Sequence, residues 1–138
     1  YSSVCNPGAA ALMEPGTDKA LEISGITREE ILAARSCEEV AADLRALLAA
    51  HQVQTYHAFN AEFDLRFLCR PPWNLDARKF LGCVMLEAQR EMDSRKWPRL
   101  IEAADYFGVE QPSAHRALPD ARVAAAIHRE IAKRTAAR

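Results

Sequence analysis

Two stretches of this chain carry side chains whose type and spacing suit acid–base or metal chemistry. Asp64 stands one helical turn before Phe67 and Leu68. On a helix its face is therefore partly apolar, and a half-buried carboxylate needs a cation, a donor or a metal ion. An Asp in a first helical turn is also satisfied by the helix dipole alone, so position leaves both roles open. The second stretch is His115-Arg116-Ala117-Leu118-Pro119-Asp120. On one regular helix His115 and Asp120 would project about 140° apart. A helix starting at Pro119 instead leaves His115 on the incoming loop and Asp120 in the first turn, where both can reach one point. Amides at a helix start favour an ionised Asp120, the form a metal ligand must take. A lone His and Asp at this spacing is common by chance. His51 and His128 read as helix residues and His57 as a strand residue, with no comparable context.

The elements that must position these groups follow from caps and periodicity. Val53 to Phe59 is rich in β-formers and predicts a strand. Asn60 then caps a helix carrying Phe63, Phe67 and Leu68, ended by Arg70-Pro71-Pro72. Upstream, Thr27 with Glu30 and Ser36 with Glu39 form two capping boxes. The second opens a helix over 37–50 with Val40, Leu44, Leu47 and Leu48 on one stripe. Residues 1–6 alternate like a strand closed by Pro7-Gly8, and a further strand is expected near 80. Pro98 to Phe107 predicts an amphipathic helix with Leu100, Ile101, Ala104 and Phe107 inward and Gly108 as its stop. A last helix runs from Pro119 to about Thr135 over Val123, Ala126, Ile127 and Ile131. The sum is one helix-rich α/β domain over residues 1–138.

Composition narrows the function classes. With 138 residues, 49% hydrophobic and 27% charged, the chain is long enough for one packed domain. No apolar run would span a bilayer, and no signal-peptide pattern opens the chain, so a cytoplasmic protein away from membranes is expected. The four cysteines lack C-x-x-C spacing, which predicts reduced thiols rather than zinc ligands or a disulfide framework. The net charge of −1 hides an acidic first half and a basic second half. Arg66, Arg70, Arg78, Lys79, Arg90, Arg95, Lys96 and Arg99 alternate with Phe67, Trp73, Phe80 and Trp97. Such a stretch can guide a nucleic-acid backbone, or it can be solvated helix surface.

Taken together the motifs are more specific. Phe59-Asn60-Ala61-Glu62-Phe63-Asp64-Leu65-Arg66-Phe67-Leu68 resembles the second motif of the DEDDh, DnaQ-like 3′–5′ exonucleases of the ribonuclease H-like fold. His115-Arg116-Ala117-Leu118-Pro119-Asp120-Ala121 resembles their third motif, and Trp97 to Leu100 with Ala103 to Gly108 is similar to the helix before it. Asn6-Pro7-Gly8 and Ile23 to Thr27 are similar to the family's segment after its third strand, with Ser24 where a His is usual. The resemblance implies a mixed sheet flanked by helices and hydrolysis between two Mg²⁺ or Mn²⁺ ions about 3.5–4 Å apart. It implies that Asp120 binds the water-activating ion, that Asp64 supports the second, and that His115 takes the water's proton. Imidazole titrates in the range that suits this task. Asn60 and Phe63 would flank the terminal nucleotide of a single-stranded 3′ end of DNA or RNA. A polymerase or another replication or repair protein is the implied class of protein partner.

One departure is large. The family's first strand carries Asp-x-Glu, which supplies the remaining metal ligands, and that motif followed by Thr does not occur here. The nearest early carboxylates, Glu14 and Asp18, fall after the third-strand position. The chain thus enters the fold without its first strands, as expected of an N-terminally truncated domain with weakened metal binding and little activity of its own. The alternative is a nuclease-derived nucleic-acid-binding or protein-interaction domain that no longer cuts. A third account, a helical interaction module, would show an exposed apolar stripe on the 37–50 or 119–135 helix.

Overall fold

The computed structural model describes residues 1–111 and 116–138. Four helices come first: α1 (Ala9–Leu12), α2 (Thr17–Ser24), α3 (Arg28–Ala33) and α4 (Cys37–Ala50). Strand β1 (Tyr56–Ala58) leads into α5 (Ala61–Leu68), then a 3-10 turn (Ala77–Lys79), β2 (Phe80–Cys83) and α6 (Val84–Glu91). Helices α7 (Leu100–Phe107) and α8 (Ala117–Ala136) complete the order.

Both capping boxes form as expected. Glu30 accepts from the Thr27 amide at 2.7 Å while the Thr27 hydroxyl accepts from the Glu30 amide at 3.1 Å. Ser36 and Glu39 repeat the exchange at 2.9 and 3.2 Å. Each box satisfies two amides that the helix itself leaves unpaired. The exchange holds the Glu30 and Glu39 carboxyls below their ordinary range, chiefly through the backbone bonds from Thr27 and Ser36.

The sheet of the described residues has two parallel strands. Tyr56 pairs with Phe80, His57 with Gly82 and Ala58 with Cys83, and the register shifts between Tyr56 and His57. Parallel neighbours need a crossover, and here α5 and the following loop provide it. Helix α8 packs on α6, α7 and β1. Val84, Ala88, Ala103, Ala104, Phe107, Val123, Ile127 and Ile131 form the buried cluster, with Phe59, Met92, Leu100 and Val109 against it. Alanines at the helix contacts let the backbones approach. The ribonuclease H-like α/β expectation holds in this reduced form, helix-rich with a short parallel sheet.

Three local expectations change. Residues 1–6 form no strand; Asn6 makes a single parallel bridge to Ser36, its amide donating to the Arg35 carbonyl at 2.8 Å. A strand is stabilised by its neighbours, and none runs alongside this segment. Ile101 lies outward, 42% exposed, while Ala103 is fully buried. The buried stripe of α7 is Ala103, Ala104 and Phe107, and Ile101 falls off its edge. Helix α8 begins at Ala117, two residues before Pro119. Proline costs nothing there because first-turn amides have no partner inside the helix. The first such bond joins the Asp120 amide to the Arg116 carbonyl at 3.1 Å.

Candidate active site

The turn from β1 into α5 positions the second motif. The Met85 amide donates to the Phe59 carbonyl at 2.8 Å, and the Cys83 thiol donates to the same oxygen at 3.3 Å. These bonds lock the end of β1 against the start of α6. Asn60 occupies the N-cap position of α5, yet its side chain makes no capping bond. It opens instead onto a groove of about 230 Å³ lined by Asn60, Glu62, Phe63, Arg66, Leu86 and Trp97, among others.

Aromatic faces crowd this groove. Phe63 is 57% exposed and Trp97 66% exposed, so both rings offer a face to solvent at the groove. Phe67, equally exposed, packs its ring against Phe63 with centroids 5.1 Å apart. Arg66 is held by Glu62 at 2.6 Å on the solvent side, an exposed pair that a phosphate can replace at little cost. The structure therefore brings together Asn60 and Phe63 and adds Arg66 and Trp97 to them.

Asp64 sits half-buried on α5. Burial pushes its carboxyl above the ordinary value of 3.8, partly countered by its own backbone amide. No side-chain hydrogen bond or ion pair to Asp64 occurs among the described residues. Asp120 is also half-buried, in the first turn of α8. The Gln111 amide nitrogen donates to its Oδ1 at 3.3 Å, and the Gln111 Oε1 is buried with no partner among the described residues. Arg116, at the N-cap of α8, donates to the Gly25 carbonyl at 2.7 Å and so ties this helix start to the end of α2. His115 lies outside the described residues.

Asp64 and Asp120 offer carboxylate oxygens, the donor type taken by a hard divalent cation such as Mg²⁺ or Mn²⁺, which keeps several waters. The described residues do not join Asp64 and Asp120 in a group of three metal-ligating side chains. They do join His57, Glu87 and His128, whose ligand atoms lie within 4.8 Å of one another. His57 and His128 had carried no site context in the sequence. No spacing rule links a strand residue to positions on two later helices, so only the packing could reveal them.

Comparison with known proteins adds the deciding observation. A family model described as Exonuclease matches residues 12–128. The chain belongs to the exonuclease family. The matched span of this exonuclease domain takes in the Asn60–Asp64 turn, the aromatic groove and Asp120 alike. Membership makes it a nuclease-type, nucleic-acid-binding domain of a family that uses divalent metals. No curated protein and no solved structure matched the chain. Among the described residues no helix is long and apolar enough to cross a membrane.

Of the eight bases in the 66–99 stretch, Arg66, Arg78 and Arg99 are engaged by Glu62, Asp76 and Glu102. Lys79 donates to the Val53 carbonyl at 2.9 Å. Arg70, Arg90, Arg95 and Lys96 form no ion pair among the described residues, which leaves them for an outside anion. The cysteines are all free, as expected, though half-buried.

Proposed function

We propose that this domain hydrolyses nucleotides from the 3′ end of single-stranded DNA or RNA with two divalent ions and a histidine base. The observation that carries the reading is the groove in which Asn60, Phe63, Arg66 and Trp97 meet, next along α5 to a half-buried Asp64 with no side-chain partner among the described residues. A terminal base can stack on Phe63 and Trp97, an interaction worth about 1–3 kcal/mol per base and tolerant of sequence. Asn60, free of capping duty, can hydrogen-bond the terminal nucleotide. Arg66 can exchange Glu62 for a backbone phosphate, and Arg70, Arg95 and Lys96 extend the positive surface.

Asp64 and Asp120 would hold the ions, with Gln111 orienting Asp120. When bound, the ions supply an activated water and charge neutralisation at the leaving 3′ oxygen. His115 takes the proton from the attacking water. Placing Asp64 half out of water stores a charge that a cation relieves, which favours metal binding over an empty carboxylate.

The test is release of nucleotides from a 3′-labelled single strand by the full native chain in Mg²⁺ or Mn²⁺, with EDTA as control. Trimming from the 3′ end that stops in EDTA and falls by roughly 10²–10⁴-fold in His115→Ala supports the reading. Release from the 5′ end, or activity untouched by EDTA, removes it. Because residues 1–138 carry no Asp-x-Glu, this stretch alone is expected to trim weakly.

The account as a helical interaction module loses its distinguishing sign. On α4, Leu44, Leu47 and Leu48 are half-buried, and on α8, Val123, Ile127 and Ile131 are buried. Neither helix presents an exposed apolar stripe.

A further inference from the structure

Three ligand-bearing side chains outside the exonuclease site converge from three elements. His57 comes from β1, Glu87 from α6 and His128 from α8, and one ligand atom of each lies within 4.8 Å of the others. The His128 Nδ1 is 2.9 Å from the Glu87 Oε2. The His57 and His128 rings lie face against face at a shallow angle, centroids 4.4 Å apart and planes 35° apart. His57 is exposed and the other two are half-buried, so the cluster is open to solvent on one side.

A second observation shows that the backbone makes room for this arrangement. Gly82 pairs with His57 across the sheet. A Cβ at Gly82 would stand 2.6 Å from the His57 Nδ1 and 2.7 Å from the Glu87 Oε1. Any other residue there would drive the imidazole or the carboxylate away. The Gly82 backbone is in an ordinary strand conformation, so a side chain there would act by displacing these two polar side-chain ends and not through a positive φ.

We infer that His57, Glu87 and His128 form a binding site for a transition-metal dication of the zinc type, separate from the exonuclease ions. Two imidazoles and one carboxylate are a donor set that late first-row ions take in preference to Mg²⁺. An ion bonded at about 2.0–2.2 Å to each ligand sets the ligand atoms roughly 3.3–3.5 Å apart. The present spread, from 2.9 Å between His128 Nδ1 and Glu87 Oε2 to at most 4.8 Å, brackets that spacing, and the stacked imidazoles would turn their ring edges toward the ion. The open side leaves the fourth position to water. Such an ion would fasten β1, which leads into the Asp64 helix, to α8, which carries Asp120. It would therefore act on the site by fixing the two elements that present its carboxylates.

The experiment is titration of the metal-stripped full chain with Co²⁺, read by visible absorption and by the melting temperature. One tetrahedral Co²⁺ per chain, counted from its intense d–d absorption and not from the weakly absorbing six-coordinate ions of a carboxylate site, no thiolate charge-transfer band, and a rise in melting temperature are expected. Affinity should fall at least tenfold in Glu87→Gln, in His128→Ala and in Gly82→Ala, and should stay within twofold in the Asp64→Asn/Asp120→Asn double variant. His128→Cys keeps a ligand and should add a thiolate-to-cobalt band, so it serves if His128→Ala does not fold. No d–d absorption, a thiolate band in the wild-type chain, or a His128→Cys spectrum like the wild type would overturn the inference. None of these readouts depends on nuclease activity, so failure here and failure of the exonuclease reading are distinguishable.

Discussion

The helices before His51 and the unit after it differ in how much core they hold. In the first region only Leu12, Ile31, Val40 and Ala41 are buried, although α3 and α4 have complete capping boxes. In the second, α5 and α6 have no side-chain cap bond, and α8 has none either. That region nonetheless holds the continuous core of Val84, Ala88, Phe107, Val123, Ile127 and Ile131. Capping alone does not separate the regions, since α1 and α2 have no side-chain cap bond and α7 keeps an Arg99–Glu102 capping box; what separates them is how much core their helices bury. The groove and Asp64 lie entirely within the packed region, and Asp120 lies at its border. There Arg116 reaches back to Gly25, and Arg28 donates to the Leu12 carbonyl at 3.0 Å within the first region.

This contrast can be broken at several points. The largest effect is expected at the site: Asp120→Asn in the full chain should lower metal-dependent 3′ trimming by at least 10²-fold, with circular dichroism unchanged. A trimming rate near wild type would detach the site from the packed region. Next, Ile127→Ala should cost about 2–5 kcal/mol in urea unfolding, because Ile127 is fully buried at the centre of the core. Ser36→Ala should cost about 1 kcal/mol, felt as faster amide exchange within α4 and leaving α7 and α8 protected. Equal loss of protection in α8 would show that the two regions unfold as one.

The smallest effect tests the desolvated carboxylate. Burial raises the Asp64 pKa above 3.8, so folding favours its protonated form. That favour is fully present below the ordinary carboxylate pKa and is lost as pH rises through the raised value. At neutral pH the ionised Asp64 therefore burdens the fold, and Asp64→Asn should raise the melting temperature of the metal-free chain slightly. The gain should vanish when unfolding is measured below pH 4, and the same variant should lose its trimming activity. A second pH readout lies in the first region. Burial, with Cys5 Sγ 3.3 Å away, pushes the Cys37 thiol up to about 11. Alkylation of Cys37 should therefore lag behind a free thiol until strongly alkaline pH.

Much of this was legible in the order of residues. Thr27 with Glu30, Ser36 with Glu39 and Gly108 as the stop of α7 depend on neighbours a few positions away. The Asn60–Asp64 and His115–Asp120 strings pointed to the exonuclease family, and the match over residues 12–128 agrees. Residues 1–6 misled because alternation shows that a segment can be a strand, whereas pairing requires a neighbour that the segment does not contain. Ile101 misled because an apolar residue at a stripe's edge can face either way, and the tight α7–α8 contact selected alanines.

By itself, then, the sequence determined the Thr27–Glu30 and Ser36–Glu39 helix starts, the Gly108 stop and the family motifs, all set by short-range pattern. Tertiary structure alone decided that Trp97 and Arg66 join Phe63 in one groove. It also decided that the Gln111 amide nitrogen bonds the Asp120 carboxylate, and that His57, Glu87 and His128 meet over Gly82. These are contacts between residues separated by tens of positions. Their proximity depends on how the parallel strand pair and α8 pack together, and no local spacing encodes it.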